Sequence, residues 1–383
     1  MNPLADITVL DLGTVGPGAR ACRILADLGA TVIRLTAPAG KALVLPFYAY
    51  GGLRGFRCCR VDLREEAGRA VALDLAARAD VVIEGFRPGV VDRLGVGFED
   101  VRAVNPSVVY CSATGYGQTG ARAGWAGHDL NYLAVAGYLA AGEPAADGRP
   151  ALPGATVADA AGGGMQAALA VMAALVGRAS TGNGGYLDVA AADGMLGVMA
   201  MHLENHLATG ADIRYGSDLL TGAYACYGVY ECRDGRFLSV AAVEAKFFTN
   251  LCSQLDLPDL VAAQYDDDAQ PAVRAALTEA FLARSRDDWV AVLARRDTCV
   301  APVLSVDEVV QDEHLQARGL FLDAVHPSHG RLRQLGPVVA GASRPPEPLV
   351  LREQDESDTD AVLADIGYPR DRIESLRASG VIA

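Results

Sequence analysis

Along the first third of the chain the spacing of apolar residues switches between two periods. Ile7-Thr8-Val9-Leu10-Asp11-Leu12 is a short, largely apolar run closed by Gly13, which predicts a buried strand. The turn Gly13-Thr14-Val15-Gly16-Pro17-Gly18 follows. Ala21, Ile24, Leu25 and Leu28 then recur at helical spacing and stop at Gly29, which predicts a helix. Further strands are predicted over 31–35, at Val81-Val82-Ile83 and over 108–112, with a helix over 65–79. Strands separated by helices imply a parallel sheet covered on both faces, with right-handed crossovers.

The middle of the chain predicts a long helix of small residues over 159–176. A short strand at Tyr186-Leu187-Asp188-Val189 and a helix over 192–207 follow it. Residues 208–221 lack an apolar period and read as a linker. Beyond them the pattern changes: Tyr227 to Glu231 and Arg236 to Ala242 flank Asp234-Gly235, a hairpin signal. Helices over about 245–254, 271–284 and 286–295 complete a second, smaller α+β unit. Residues 343–348 are Pro-rich and extended, and 356–377 form an acidic stretch and a short amphipathic helix.

Composition narrows the function classes. The chain has 383 residues, 51% of them hydrophobic and 21% charged, enough for a large core and too apolar for global disorder. A formal charge of −14 disfavours wholesale nucleic-acid binding. No uninterrupted apolar run reaches the ~18 residues of a membrane span. The first residues lack the basic and apolar regions of a secretion signal. The eight cysteines form no C-x-x-C pair and read as mostly buried thiols of a cytoplasmic protein. His202 and His206 stand at i,i+4, but the order a zinc-protease motif requires is missing, so no metal site is expected. His314, His326 and His329 read as surface residues.

Several constellations carry candidate chemistry. Gly16-x-Gly18-x-x-Ala21 formally matches a dinucleotide fingerprint. However, the second strand ends in Arg34-Leu35-Thr36 with no acid for a ribose, and Pro17 removes an N–H donor, so a tight strand-to-helix turn is the better reading. From Arg34 through Val61 there is no acidic residue, but Arg34, Lys41, Arg54, Arg57 and Arg60 are present, and Arg87 follows in Phe86-Arg87-Pro88-Gly89. Arginine forks near strand ends suit a phosphate-bearing ligand; a solvated basic face is the competing reading. Gly127-His128-Asp129 offers an imidazole beside a carboxylate. Asp159 stands where a helix N-cap belongs and is followed by Gly162-Gly163-Gly164. Those glycines either expose backbone N–H groups to an oxyanion or let neighbouring helices pack closely. Glu244 directly follows an apolar strand, as a cleft carboxylate or a helix cap.

Together these residues resemble the class III CoA-transferase superfamily (CaiB/BaiF type), and within it the alpha-methylacyl-CoA racemases. The resemblance covers nearly the whole chain. It rests on Val9-Leu10-Asp11-Leu12 with Gly16-Pro17-Gly18, Leu25-Ala26-Asp27-Leu28-Gly29-Ala30 and Glu84-Gly85-Phe86-Arg87-Pro88-Gly89. It continues through Thr114-Gly115-Tyr116-Gly117-Gln118-Thr119-Gly120, Gly127-His128-Asp129, Asp159 with its glycines, Tyr230-Glu231, Asp234-Gly235, Cys299-Val300-Ala301-Pro302-Val303 and Ile366-Gly367-Tyr368.

The resemblance implies an α/β fold: a Rossmann-like large domain with a parallel sheet, built from 1–207 and 326–383, and a small α+β domain over 222–325 reached through the 208–221 linker. It also implies an interlocked homodimer that places Glu244 of one subunit near His128 and Asp159 of the other. His128 and Asp159 would exchange the α-proton of an acyl-CoA thioester from opposite faces, and Glu244 would orient His128. Arg34, Arg54, Arg57 and Arg87, with Gly16, Tyr116 and Gly117, would hold the CoA portion. No metal or redox cofactor would be required, and neither nucleic acid nor membrane would be a partner. The alternatives are a CoA-transferase with Asp159 as nucleophile, a non-catalytic CoA-binding homologue and, further off, a nicotinamide dehydrogenase. Ala158, Ala160 and Ala245-Lys246 depart from the racemase pattern near the acyl side. They point to an unusual acyl group, with a carrier-protein thioester as another possible substrate.

Overall fold

The computed structural model describes residues 1–38, 46–339, 344–345, 348–353 and 356–383. Lys41 and half of the Pro-rich 343–348 stretch (343, 346 and 347) lie outside the described residues. The chain divides into two compact units: Met1–Ala136 with Pro153–Ala200 and Glu313–Ala383, and Gly137–Leu152 with Met201–Asp312. These bounds differ from the divisions at 207, 221 and 325 expected from sequence. Residues 208–221 belong to the second unit rather than bridging two, and 313–325 belong to the first.

The first unit is built on six parallel strands: β1 (Thr8–Asp11), β2 (Thr31–Thr36), β3 (Arg57–Arg60), β4 (Val81–Glu84), β5 (Val109–Thr114) and β6 (Gly185–Ala190). Their order is β3-β2-β1-β4-β5-β6, with every neighbouring pair parallel. This is the doubly wound arrangement, and its topological switch point lies between β1 and β4. β4 and β5 are buried along their whole length, as strands covered on both faces must be. Alternation decides which core each residue enters. Leu10, Val82 and Tyr110 share one cluster with Val362, Leu363 and Ile373 of the C-terminal helices. Val9, Val81 and Val109 share the other with Ala21, Cys22 and Leu25 of helix α1 (Pro17–Asp27). β3 has no sequence signal, because Arg57-Cys58-Cys59-Arg60 buries fully only Cys59. It forms because β2 offers it a parallel edge.

On the same side as α1, a π-helical segment (Ala158–Met165) runs directly into helix α3 (Gln166–Thr181), and helix α4 (Ala191–Val198) follows β6. The continuous helix Ala158–Thr181 is, by length and composition alone, apolar enough to cross a membrane, although Asp159, Gln166 and Arg178 interrupt its apolar run. Ala167, Ala168, Val171 and Leu175 pack it on the sheet, while Met165, Leu169 and Val176 are exposed.

In the second unit, β7 (Tyr227–Glu231) and β8 (Phe237–Ala241) form the expected hairpin, with Gly235 at φ +73°, and β9 (Val300–Pro302) adds an antiparallel edge. Phe248, Leu277, Phe281 and Trp289 fill its core.

The chain then forms β10 (Phe321–His326), antiparallel to β11 (Gly330–Leu335) and parallel to β12 (Leu349–Val350), within the first unit. His326 is not a surface residue. Its inward register position on β10 leaves it 1% exposed, and its ring contacts Tyr50 and stacks on His329.

Candidate active site

The glycine turn after β1 delivers the chain into α1 at the switch point between β1 and β4. Gly16 has φ +54°, which a residue with a side chain adopts only under strain. A Cβ on Gly18 would lie 2.8 Å from the Thr14 side chain. Both glycines are therefore required by the turn itself, as the tight-turn reading anticipated.

Asp159 faces this turn. A Cβ on Gly16 would come within 3.3–3.4 Å of the Asp159 carboxyl. Asp159 is not the helix cap its sequence position suggested. The helix has already begun at Val157, whose backbone is right-handed helical, and Asp159 lies within the first turn of the π segment. First-turn N–H groups have no partner within their own helix. The Asp159 N–H instead donates to Asp129 Oδ1 at 2.8 Å, and the Ala160 N–H donates to the Thr156 carbonyl at 3.0 Å. Neither is left for a substrate oxyanion.

The three glycines that follow serve packing. A Cβ on Gly162 would sit 2.5 Å from the Ala191 carbonyl oxygen on α4, on Gly163 2.5 Å from Pro17 Cβ, and on Gly164 2.4 Å from Arg20 Cβ. Gly194 on α4 meets the same surface, 1.8 Å from the Gly162 carbonyl oxygen. Of the two readings of the glycine run, the structure supports close helix approach. π-helical turns are rare and frequently occur at functional sites.

Helix α2 (Asp129–Val135) brings the imidazole to the same place. His128 is exposed at its N-terminal boundary, and its backbone N–H donates to Asn131 Oδ1 at 3.0 Å. Burial pushes the Asp159 carboxyl above its ordinary range and the neighbouring Asp129 carboxylate adds to this. Arg20 and His128 pull the other way. Arg20, in the first turn of α1, also donates to Thr156 Oγ1 at 3.2 Å.

Tyr116, in the loop after β5, reaches the cluster through Tyr132, whereas the next residue, Gly117, lies against Asp188 and Ala190 of β6. The rings of Tyr116 and Tyr132 meet edge to face with centroids 5.0 Å apart. Tyr132 OH donates to the Gly127 carbonyl at 2.5 Å, and its ring fills the space that a side chain at Gly115 or Gly127 would need. Burial first, then the Asp159 charge, pushes the Tyr132 phenol up to about 12, so it stays neutral. Gly117 holds φ +79° and its N–H donates to Thr114 Oγ1.

The arginines fare differently. Arg34 is buried and pairs with Asp11 at 2.5 Å across the β1–β2 register, and it also donates to the Thr14 carbonyl. Arg54 is buried against Asp27 at 2.6 Å and the Leu335 carbonyl at 2.7 Å. Both therefore hold secondary structure together instead of presenting free forks, because a buried guanidinium without its acid would be prohibitively desolvated. Arg57 pairs with the exposed Asp365 at 2.6 Å. Arg87 is exposed and has no ion pair among the described residues.

Glu244 belongs to the second unit, at the N-terminal boundary of helix α5 (Ala245–Gln254), where it is exposed and makes no side-chain cap. Reading the sequence overlooked the parts played by Asp129, Arg20 and Tyr132. Asp129 was visible only as a neighbour of His128, and Arg20 only as the residue four beyond Gly16.

Residues 4–350 match the family model for CoA-transferase family III. The chain is 31% identical to human alpha-methylacyl-CoA racemase over 99% of this chain and 97% of the human protein. It is equally similar, at 31%, to the acetyl-CoA:oxalate CoA-transferase of Acetobacter aceti, over 84% of this chain and 86% of that one. Among solved structures, a CaiB/BaiF family protein from Brucella suis matches with TM-score 0.76 at 30% identity, covering 95% of this chain and 99% of that one. A Mycobacterium tuberculosis protein matches with TM-score 0.79 at 28% identity, covering 94% and 99%.

Proposed function

The chain belongs to CoA-transferase family III, and we propose that within this family it inverts the α-carbon of a 2-methylacyl or related α-branched acyl-CoA thioester. The observation that carries the reading is Asp159, a carboxyl held above its ordinary range beside an imidazole. A general acid or base works best when its proton affinity approaches the operating pH. A thioester acidifies its α-proton. One of His128 and Asp159 removes that proton, and the other returns one from the opposite face of the planar enolate, so the configuration inverts. The enolate oxygen takes its donors from N–H groups other than those of Asp159 and Ala160, which already have acceptors.

The CoA portion supplies remote binding energy that positions the acyl carbon. Arg87 and Arg57 are the arginines proposed for its phosphates. Glu244 is assigned to orient His128 of a partner chain within a homodimer. The exposed apolar residues Met165 at the end of the π segment, Leu169 and Val176 on α3, and Leu196 and Val198 on α4 support such a partner, since an uncovered apolar face of this kind marks an interaction surface.

A second reading has its own support. CoA-transferases match this chain as well as racemases do, and Arg20 favours the ionised Asp159 that a nucleophile would need. In that case the carboxylate would attack the thioester carbonyl, form an acyl anhydride and expel the CoA thiolate. Incubation with a 2-methylacyl-CoA in D2O separates the two readings. Deuterium at the α-carbon without any acceptor acid, abolished by His128→Ala, supports inversion. CoA transfer to a supplied carboxylate without α-exchange would establish the second reading. Neither reaction would leave a binding role.

A further inference from the structure

We propose that Asp129 is the positioning residue of this site: its buried carboxylate fixes the turn that carries Asp159 and places a negative charge beside the reacting carboxyl. The inference rests on the reading of Asp159 as the reacting carboxyl. Asp129 opens α2 and is 9% exposed. Its Oδ1 accepts the Asp159 main-chain N–H at 2.8 Å. That donor lies in a first helical turn with no partner of its own, so the hydrogen bond ties two elements that are otherwise far apart in sequence. Because His128 is the residue before Asp129, the same bond couples the position of the imidazole to that of the Asp159 carboxyl.

A carboxylate so close also opposes a second negative charge. The groups facing Asp159 are Asp129, His128 and Tyr132 from α2 and Arg20 from α1. On α4, the Asp193 carboxyl is raised by partial burial first and by Asp188 second, not by Asp159. Among the described residues, Asp129 is the only carboxylate acting on Asp159. Burial raises the Asp159 carboxyl most, Asp129 adds to that, and Arg20 and His128 oppose it, so removing either charge should move the Asp159 titration.

The test separates position from charge. Asp129→Asn keeps an acceptor oxygen for the Asp159 N–H and removes the charge, whereas Asp129→Ala removes both. Asp129→Ala is expected to lower kcat by ~100-fold with little change in KM, as a misplaced reacting group does. Asp129→Asn is expected to recover most of the rate but to move the limb of the pH–rate profile governed by Asp159 to lower pH. Arg20→Gln is expected to move that limb to higher pH. The same shifts should be read without turnover from the 13C carboxyl resonance of Asp159, assigned by its loss in Asp159→Asn.

Should the parent protein exchange no α-proton, the proposed function fails, and the NMR titration still decides the role of Asp129. An Asp159 titration unmoved by Asp129→Asn overturns the inference. So does a folded Asp129→Ala protein with undiminished kcat in whichever reaction the parent catalyses.

Discussion

Replacing Gly163 with alanine tests the claim that the glycines after Asp159 exist for packing. The added Cβ would lie 2.5 Å from Pro17 Cβ, 2.8 Å from Pro17 Cγ and 3.2 Å from Ala191 Cβ. Carbon atoms in contact rest about 3.5–4.0 Å apart. The π segment must therefore move away from α1 by roughly an ångström, because a proline ring and a backbone-anchored methyl have no rotamer with which to yield. Overpacking of this kind costs about 1–3 kcal/mol. Against it stands the ~0.5–1 kcal/mol that alanine gains over glycine in a helix. Overlap with a rigid ring puts the cost in the upper half of that range, so a net loss of about 1–2.5 kcal/mol is expected, and in a body of this size each kcal/mol lowers Tm by about 2–4 °C. Thermal unfolding followed by near-UV circular dichroism reads the shift. Gly177→Ala, on the same continuous helix, is the control: nothing lies within 4 Å of its Cβ, so it should stabilise by ~0.5–1 kcal/mol. An unchanged or raised Tm for Gly163→Ala would refute the packing argument and return the bare backbone to a role toward ligand.

Asp159→Asn should abolish exchange or transfer yet stabilise the fold. With the carboxyl raised above its ordinary 3.8 in the folded state, the stability it contributes is complete below about pH 4 and is lost as pH rises through the folded value. The Tm gain of the variant should therefore be absent in acid and grow toward neutrality; a gain independent of pH would contradict this. Arg34→Met leaves Asp11 buried without its counter-charge and should cost ~3–5 kcal/mol by urea unfolding. Intact stability with weakened CoA binding would instead restore Arg34 as a phosphate anchor. Arg87→Ala should alter stability by less than about 0.5 kcal/mol while weakening CoA binding by ~10-fold in calorimetry, the loss of one charge-assisted hydrogen bond. Leu169→Glu should convert the proposed dimer to monomer in sedimentation velocity, and an unaffected dimer would place its interface elsewhere.

Local pattern alone determined a good part of this protein. The short apolar runs at Val9-Leu10 and Val81-Val82-Ile83, the helical spacing from Ala21 to Leu28 and the Asp234-Gly235 turn all lie where sequence reasoning put them. The reason is that a strand buried on both faces and a two-residue turn write their requirements into adjacent residues. The sequence also marks His128 and Asp159 as candidates, through the motif residues beside them and the family those motifs resemble. Tertiary structure decided what those residues face. The basic stretch looked like a ligand surface, yet Arg34 and Arg54 are consumed by Asp11 and Asp27, acids outside that stretch. β3 pairs with the edge that β2 presents and is held on by Asp358 and Thr359 from the far end of the chain, and Tyr50 and His329 pack against the buried His326. Asp159 was expected to cap a helix; instead it lies in the first turn of a π segment, its N–H held by a carboxylate thirty residues earlier. Burial and charge pairing are sums over neighbours from distant parts of the chain. A sequence read in order names the charged groups but not which of them will cancel.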